Sequence, residues 1–212
     1  MKSIFSPDSK VFRVMNRFAD LVILNFLYFV ICLPVVTAGA ATTAMYTVCF
    51  RMDTENEQSI VKPYFKAFRD NFKQATGFWI PVLLFGAASV FDSLLFYHAA
   101  APVHYGFWLF APAAILTVML STILFPLISQ FDMPWKVVFK NSVLLLLGRF
   151  PAALLLGALQ ALPFILLYAY PVVFLRIGCL WILGYFAAVA YLGSKVLRKA
   201  FAPLYEISTK SE

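Results

Sequence analysis

The chain has 212 residues, of which 62% are hydrophobic and 13% charged, and its formal net charge is +7. Soluble domains usually carry about 45–50% apolar and about 25% charged residues, so this composition excludes an ordinary soluble domain. The apolar runs are continuous and do not alternate with polar residues, which excludes a membrane β-barrel. The composition therefore predicts an all-α fold, a polytopic bundle of transmembrane helices.

Six apolar segments follow one another and predict one integral membrane domain over residues 1–212. The approximate spans are 18–34, 37–51, 74–98, 105–131, 150–170 and 172–195. We expect the first two to be short helices joined by a tight turn near the far face of the membrane. The second is shorter than the ~20 residues of a full span, so it crosses, tilts or re-enters.

The N-terminal segment also resembles a secretory signal peptide. A basic leader precedes an apolar core, and Ala38-Gly39-Ala40 mimics an A-x-A cleavage site. The leader is long, however, and it contains Asp8 and Asp20. We therefore interpret this segment as a retained span.

The basic residues alternate with the apolar segments. Four Lys and Arg precede the first span, five lie from Arg51 at the end of the second span to Lys73, three lie between the fourth and fifth, and four lie from Lys195 at the end of the sixth span onward. Only Arg176 remains for the opposite side. The positive-inside rule thus predicts six spans with both termini in the cytoplasm. Because these cations flank spans and form no single soluble patch, they do not indicate nucleic-acid binding.

A basic amphipathic stretch precedes each pair of spans, which predicts three hairpins with basic interfacial helices. The clearest stretch carries Lys62, Lys66, Arg69 and Lys73 at helical spacing beside aromatic residues. We expect it to contact the lipid bilayer or a cytoplasmic partner protein. Two interpretations of the three stretches stay open: a threefold internal repeat, or independent selection of such helices by lipid headgroups.

Asp92 and Arg176 are the candidate intramembrane polar pair. Asp92 is the only carboxylate well inside a span, and Arg176 lies at the start of the sixth span. Ionisable residues at such depth are costly and predict a functional role with a partner. We expect these two residues to pair, either as a staple between hairpins or as a solute-binding pair.

A second candidate site is the helix break after the first span. It combines Asn25, a polar residue inside that span, with Pro34, Thr37 and Gly39. Broken helices persist in membranes where they are buried in protein or line a cavity, so this site is a candidate for solute contact. The alternative is a plain reverse turn at the membrane face, with Asn25 in an interhelical hydrogen bond.

No residue pattern predicts a catalytic, cofactor or metal site. No nucleotide-binding, metalloprotease or serine-hydrolase motif occurs. Cys32, Cys49 and Cys179 are dispersed in apolar surroundings, and His98 and His104 have no neighbouring ligand set. We therefore expect a protein that is not an enzyme.

Two stretches of the sequence resemble a known family. Residues 25–46 contain Leu-Pro-Val-Val-Thr-x-Gly followed by Thr-x-Ala-x-Tyr, and residues 65–76 read Phe-Lys-Ala-Phe-Arg-Asp-Asn-Phe-Lys-Gln-Ala-Thr. Together they are similar to the YesL family of bacterial membrane proteins, a domain of unknown function. The resemblance implies a multi-pass protein of the bacterial cell membrane, from a family often encoded beside genes for carbohydrate uptake.

These observations lead to two functional hypotheses. In the first, the protein is an accessory or permease-like component of solute uptake, with carbohydrate as the expected solute and transporter subunits as expected partners. In the second, it is a stand-alone transporter or channel for small solutes. The second predicts a polar cavity around Asp92, Arg176, Asn25 and Thr37, whereas the first predicts a dry, packed bundle.

Overall fold

A computed structural model describes residues 10–52, 59–97 and 103–209 of the chain. The described residues are all-α and contain no strand, which confirms the predicted fold class. The helices are α1 (Lys10–Cys32), α2 (Ala38–Arg51), α3 (Val61–Tyr97), α4 (Phe107–Gln130), α5 (Trp135–Gly148), α6 (Phe150–Ala169), α7 (Pro171–Arg176), α8 (Gly178–Leu180) and α9 (Phe186–Thr209). A π-helical turn, Trp181–Tyr185, joins α8 to α9.

Five segments of the described chain are long and apolar enough to cross a membrane. They are Val14–Cys32, Val61–Tyr97, Phe107–Gln130, Phe150–Ala169 and Gly178–Tyr205. The 14-residue α2 falls below that length. These are the helices of an integral membrane protein.

Three predicted boundaries differ from the structure. The basic stretch at 62–73 is not a separate interfacial helix, because it forms the first turns of the 37-residue α3. The N-terminal basic stretch likewise continues into α1 without a break. Of the predicted basic stretches, only the one on α5 forms a separate helix between two spans in the described structure. The predicted sixth span, 172–195, is interrupted between Arg176 and Phe186. Helix breaks of this kind depend on tertiary partners, which hydrophobicity does not reveal.

Helix α2 is the centre of the bundle. Nearly every side chain from Gly39 to Phe50 is buried, and α2 packs against α1, α3, α4 and α9. Its partners contribute the buried C-terminal half of α4 and one face of α9. A helix that is apolar all round belongs in such an interior position.

The start of α5 is anchored to α3. The Trp135 ring stacks on Phe78 with ring centroids 4.9 Å apart, and it fills the space beside Gly77. The Gln74 amide donates to the Met133 carbonyl oxygen at 2.7 Å, which fixes the connection before α5. The basic stretch on α5, which carries Lys136 and Lys140, is therefore held beside the point where the apolar part of α3 begins.

Candidate functional site

The Asn25 side chain makes three hydrogen bonds among the apolar helices. Asn25 is 0% exposed. Its amide nitrogen donates to the carbonyl oxygens of Trp181 at 2.9 Å and Ile182 at 2.7 Å. Its amide oxygen accepts from the backbone N–H of Ala187 at 3.1 Å. One side chain on α1 thus serves three backbone groups of the interrupted helix.

The interruption itself explains why these backbone groups need a partner. The turn Trp181–Tyr185 is π-helical, and Gly184 within it departs from helical dihedral angles. Unsatisfied backbone groups cost several kcal/mol in an apolar medium, so a broken helix persists only where neighbours replace its hydrogen bonds. Asn25 makes that replacement, while the Trp181 ring packs between Phe174 and Tyr185.

Asn25 is therefore separate from the other residues of its predicted site. It lies against the α8–α9 junction, whereas Pro34, Thr37 and Gly39 lie at the α1–α2 connection. The grouping of these four residues in one broken-helix site is wrong. The described chain has one break between α1 and α2 and another between α8 and α9, and Asn25 serves the second, which is distant in sequence.

The α1–α2 connection is a closed reverse turn. Residues Val35–Thr37 form a short 3-10 turn. The Thr37 hydroxyl donates to the carbonyl oxygens of Ile31 and Pro34, the latter at 2.7 Å. The Trp79 indole N–H donates to the Val35 carbonyl oxygen at 2.7 Å. Thr37 is thus engaged with the backbone of the turn.

Gly39 permits close packing directly after this turn. A Cβ atom at residue 39 would lie 2.5 Å from the Trp79 Cβ and 3.0 Å from both the Ala75 oxygen and the Phe125 ring. Such distances require a glycine, because real Cβ atoms do not approach so closely. Gly39 is therefore a contact point between helices.

The predicted pair of Asp92 and Arg176 does not form. Asp92 is half-buried on α3 and Arg176 is exposed on α7, and no ion pair joins them. The physical reason is the helix arrangement: α3 packs mainly on α2 and α4, whereas α7 packs on α6 and α8. Similar predicted depths in two spans therefore do not bring Asp92 and Arg176 into contact.

The C-terminal end of α2 is held by two arginines. Arg17 of α1 donates to the Met52 carbonyl oxygen, and Arg198 of α9 donates to the Phe50 carbonyl oxygen at 2.5 Å. The last carbonyls of a helix lack internal partners and carry a partial negative charge, so cations stabilise them. Sequence reasoning missed this role, because the partners are far apart in the chain.

A small polar pocket adjoins this end of α2. It is lined by Arg17, Asp20, Val48, Arg51, Met52, Ser59, Ile60 and Pro63. The charged residues of this pocket come from α1 and the end of α2, and the uncharged ones include the residues that lead into α3.

We expect Arg198→Met to lower the free energy of unfolding by about 1.5 kcal/mol, because a charge-assisted hydrogen bond to a helix end is lost while the aliphatic stem remains. Thermal unfolding in detergent measures the effect. The matched control is Lys199→Met, which changes an exposed neighbour and should stay within about 0.5 kcal/mol. Equal unfolding temperatures for the two variants would contradict the proposed stabilisation.

The basic stripe on α3, formed by Lys62, Lys66, Arg69 and Lys73, is exposed along its whole length. The opposite face of the same turns carries the buried residues Tyr64, Ala67 and Ala75. The stripe is thus a surface feature on a helix that is firmly packed from behind.

Gln160, the other amide inside a span, also has a protein partner. Its nitrogen donates to the buried Tyr46 hydroxyl at 3.1 Å. The residues that the structure describes include no group of three or more His, Cys, Asp or Glu suited to a metal ion. His98 lies outside the described residues.

The comparisons with known proteins give one match. No curated protein and no solved structure matches the chain. A family model covers the segment that contains the uncharged part of α1, α2 and most of α3, which is less than half of the chain. The match confirms the resemblance to a domain of unknown function and is compatible with the YesL name. Residues 21–93 match the family described as protein of unknown function, DUF624.

Proposed function

We propose that this is a multi-pass protein of the bacterial cell membrane, with both termini in the cytoplasm, that acts as a non-enzymatic accessory or permease-like component of solute uptake. The solute class we propose is carbohydrate, on the basis of the family resemblance. The runner-up is a stand-alone transporter or channel.

One observation favours the accessory role. The polar side chains of the apolar segments lie apart in the described structure, and three of them are engaged with protein groups. Asn25 serves the α8–α9 junction, Thr37 closes the α1–α2 turn, and Gln160 bonds to Tyr46. Their hydrogen-bonding capacity supports packing between helices. This arrangement fits a component that works beside a transporter better than one that carries solute itself.

The basic stripe on α3 is the surface we propose for the transporter partner. Its four cations are exposed, and the helix that carries them is fixed against α2. A rigid row of like charges recognises an acidic surface and rejects a basic one, since like-charge contacts cost several kcal/mol.

Uptake measurements test both parts of this proposal. Cells that lack the protein should take up a labelled oligosaccharide slowly, and the unaltered chain should restore uptake. Lys66→Glu with Arg69→Glu should reduce the restored rate at least ~10-fold, because charge reversal opposes docking. The control is Lys136→Glu with Lys140→Glu, which reverses two exposed cations on α5 and should restore uptake fully.

Reconstitution separates the two hypotheses. The purified protein alone in sealed liposomes should not accelerate entry of the oligosaccharide above the rate of empty liposomes. If it does so, the stand-alone transporter is correct and the accessory role is wrong. If both charge-reversed pairs restore uptake equally, the stripe is not the docking surface.

A further inference from the structure

We propose that α1 and α2 form a re-entrant hairpin, which enters the membrane from the side of the chain termini and turns back inside the bilayer. This topology replaces two of the six predicted spans. It does not depend on the proposed role in uptake.

The apolar part of each limb is short, although Val14–Cys32 as a whole has the length of a span. The uncharged part of α1 begins after Asp20 and the helix ends at Cys32. Helix α2 has 14 residues, which is about 21 Å of helix at 1.5 Å per residue. The hydrocarbon core is about 30 Å thick, and apolar helices of about 10–14 residues are typical of re-entrant or interfacial segments.

The position of the turn relative to α3 leads to the same topology. The Trp79 indole reaches the Val35 carbonyl, and Gly39 packs against the Trp79 Cβ, so the turn is level with Trp79. Helix α3 continues to Tyr97, about 27 Å further at 1.5 Å per residue. Its apolar part begins after Lys73, only about 9 Å before Trp79. The turn therefore lies past the start of the apolar layer and far from its other side.

The contacts that α1 makes with α9, away from α3, support the same topology. The C-terminal part of α1 packs on the start of α9, and the ring centroids of Phe29 and Phe186 are 5.5 Å apart. Asn25, one turn earlier on α1, contacts the π-helical turn itself, and α7 and α8 separate that turn in the chain from the α6–α7 connection at Tyr170. The hairpin therefore packs against the junction between α8 and α9.

The chemistry of the turn suits hydrocarbon. Its outward side chains are apolar, with Leu33 80%, Val35 57% and Val36 51% exposed. Its polar groups have partners within the protein: Thr37 donates through both its hydroxyl and its N–H, the latter to the Pro34 carbonyl oxygen at 2.8 Å, and the Val35 carbonyl oxygen accepts from the Trp79 indole. Backbone inside a bilayer must find protein partners in this way, whereas a loop in water need not.

The charged groups of the hairpin lie at its other end. Arg17, Asp20 and Arg51 line the polar pocket at the base, beside the first residues of α3. The hairpin is therefore polar at its base and apolar at its tip, as entry from one face requires. Four crossings then remain, namely α3, α4, α6 and the chain from α7 through α9. An even number keeps both termini on the same side.

Single cysteines test this topology in the full-length protein. Cys32, Cys49 and Cys179 are first replaced by Ala, and one cysteine is introduced as Leu33→Cys, Val36→Cys, Tyr105→Cys or Lys140→Cys. Tyr105 is 70% exposed in the α3–α4 connection, and Lys140 is exposed on α5. A membrane-impermeant maleimide is applied to sealed vesicles of each orientation, and labelling after denaturation in SDS gives the total.

We expect Y105C to be labelled from one face and K140C from the other. L33C and V36C should be labelled at less than ~0.1 of the Y105C level from its face, because thiols in hydrocarbon neither ionise nor meet the reagent. If V36C and Y105C are labelled equally from the same face, α1 and α2 cross the membrane and the proposal is wrong.

A fluorescent label at residue 36 gives an independent measurement. Quenchers attached to lipid chains should reduce its fluorescence strongly, and aqueous iodide should have little effect. Iodide quenching at residue 36 equal to that at residue 105 would overturn the re-entrant hairpin.

Discussion

Replacing Asn25 with Leu should lower the free energy of unfolding by about 3 kcal/mol. Leu has a similar volume, so the packing of α1 against α9 is largely kept while all three hydrogen bonds are lost. The variant leaves the carbonyl oxygens of Trp181 and Ile182 and the N–H of Ala187 without their hydrogen-bond partner. Each buried group left unsatisfied costs roughly 1–3 kcal/mol, with partial relief where the interrupted helix rearranges.

Two further variants separate these hydrogen bonds from the rest of the contact. Asn25→Asp keeps an acceptor for the Ala187 N–H but places carboxylate oxygen opposite two carbonyls, so it should be no more stable than Asn25→Leu. Gln160→Leu removes the single bond to Tyr46 and should lower stability by about 0.6 kcal/mol, the average for such bonds in membranes. Equilibrium unfolding in mixed detergent and SDS micelles measures all three. If Asn25→Leu and Gln160→Leu are equally stable, Asn25 does not hold the interrupted helix.

Hydrophobicity and charge predicted the helices that are simplest in the structure. The predicted spans 105–131 and 150–170 agree closely with α4 (Phe107–Gln130) and α6 (Phe150–Ala169). Both are predominantly apolar and end near charged or turn residues, so their ends depend on local sequence. Pro151 lies in the first turn of α6, where proline is well tolerated.

The predictions that failed depend on contacts between distant residues. An interhelical hydrogen bond is one of the two interpretations of Asn25 that the sequence supports, but its partners lie 156 and 157 residues away and belong to a turn that looks like ordinary span in the sequence. Asp92 and Arg176 were paired by depth alone, whereas the order of helices around the bundle keeps α3 and α7 on different neighbours. Depth follows from one segment, but lateral position follows from how all segments pack.

The two helix breaks now have complementary explanations. The α1–α2 turn is closed by its own Thr37 and by Trp79 of α3, while the α8–α9 junction is closed by Asn25 of α1. Helix α1 therefore contacts both irregular regions. Its Arg17 donates to the C-terminal end of α2, and Arg198 of α9 donates to the same end. The short hairpin of α1 and α2 thus packs against the longer helices α3, α4 and α9.

Gly39→Val should be the most damaging single substitution near the hairpin tip, with a loss of about 3 kcal/mol or more in the free energy of unfolding. The first side-chain carbon would lie 2.5 Å from the Trp79 Cβ, which belongs to a rigid part of α3. Relief requires α2 and α3 to separate, which also disturbs the Trp79 bond to Val35. Overpacking in a tight interior typically costs about 1–3 kcal/mol, and a β-branched residue adds two further methyl groups.

Gly39→Ala should show about half of that loss, since it introduces only the Cβ atom. Gly148→Ala is the matched control, because a Cβ at residue 148 meets nothing within 4 Å and should change stability by no more than about 0.5 kcal/mol. Tryptophan fluorescence adds a local measurement, since a displaced Trp79 should shift its emission in Gly39→Val. If Gly39→Val unfolds with the same midpoint as Gly148→Ala, then α2 and α3 do not pack as closely as the structure requires, and the level of the hairpin tip against Trp79 must be revised with it.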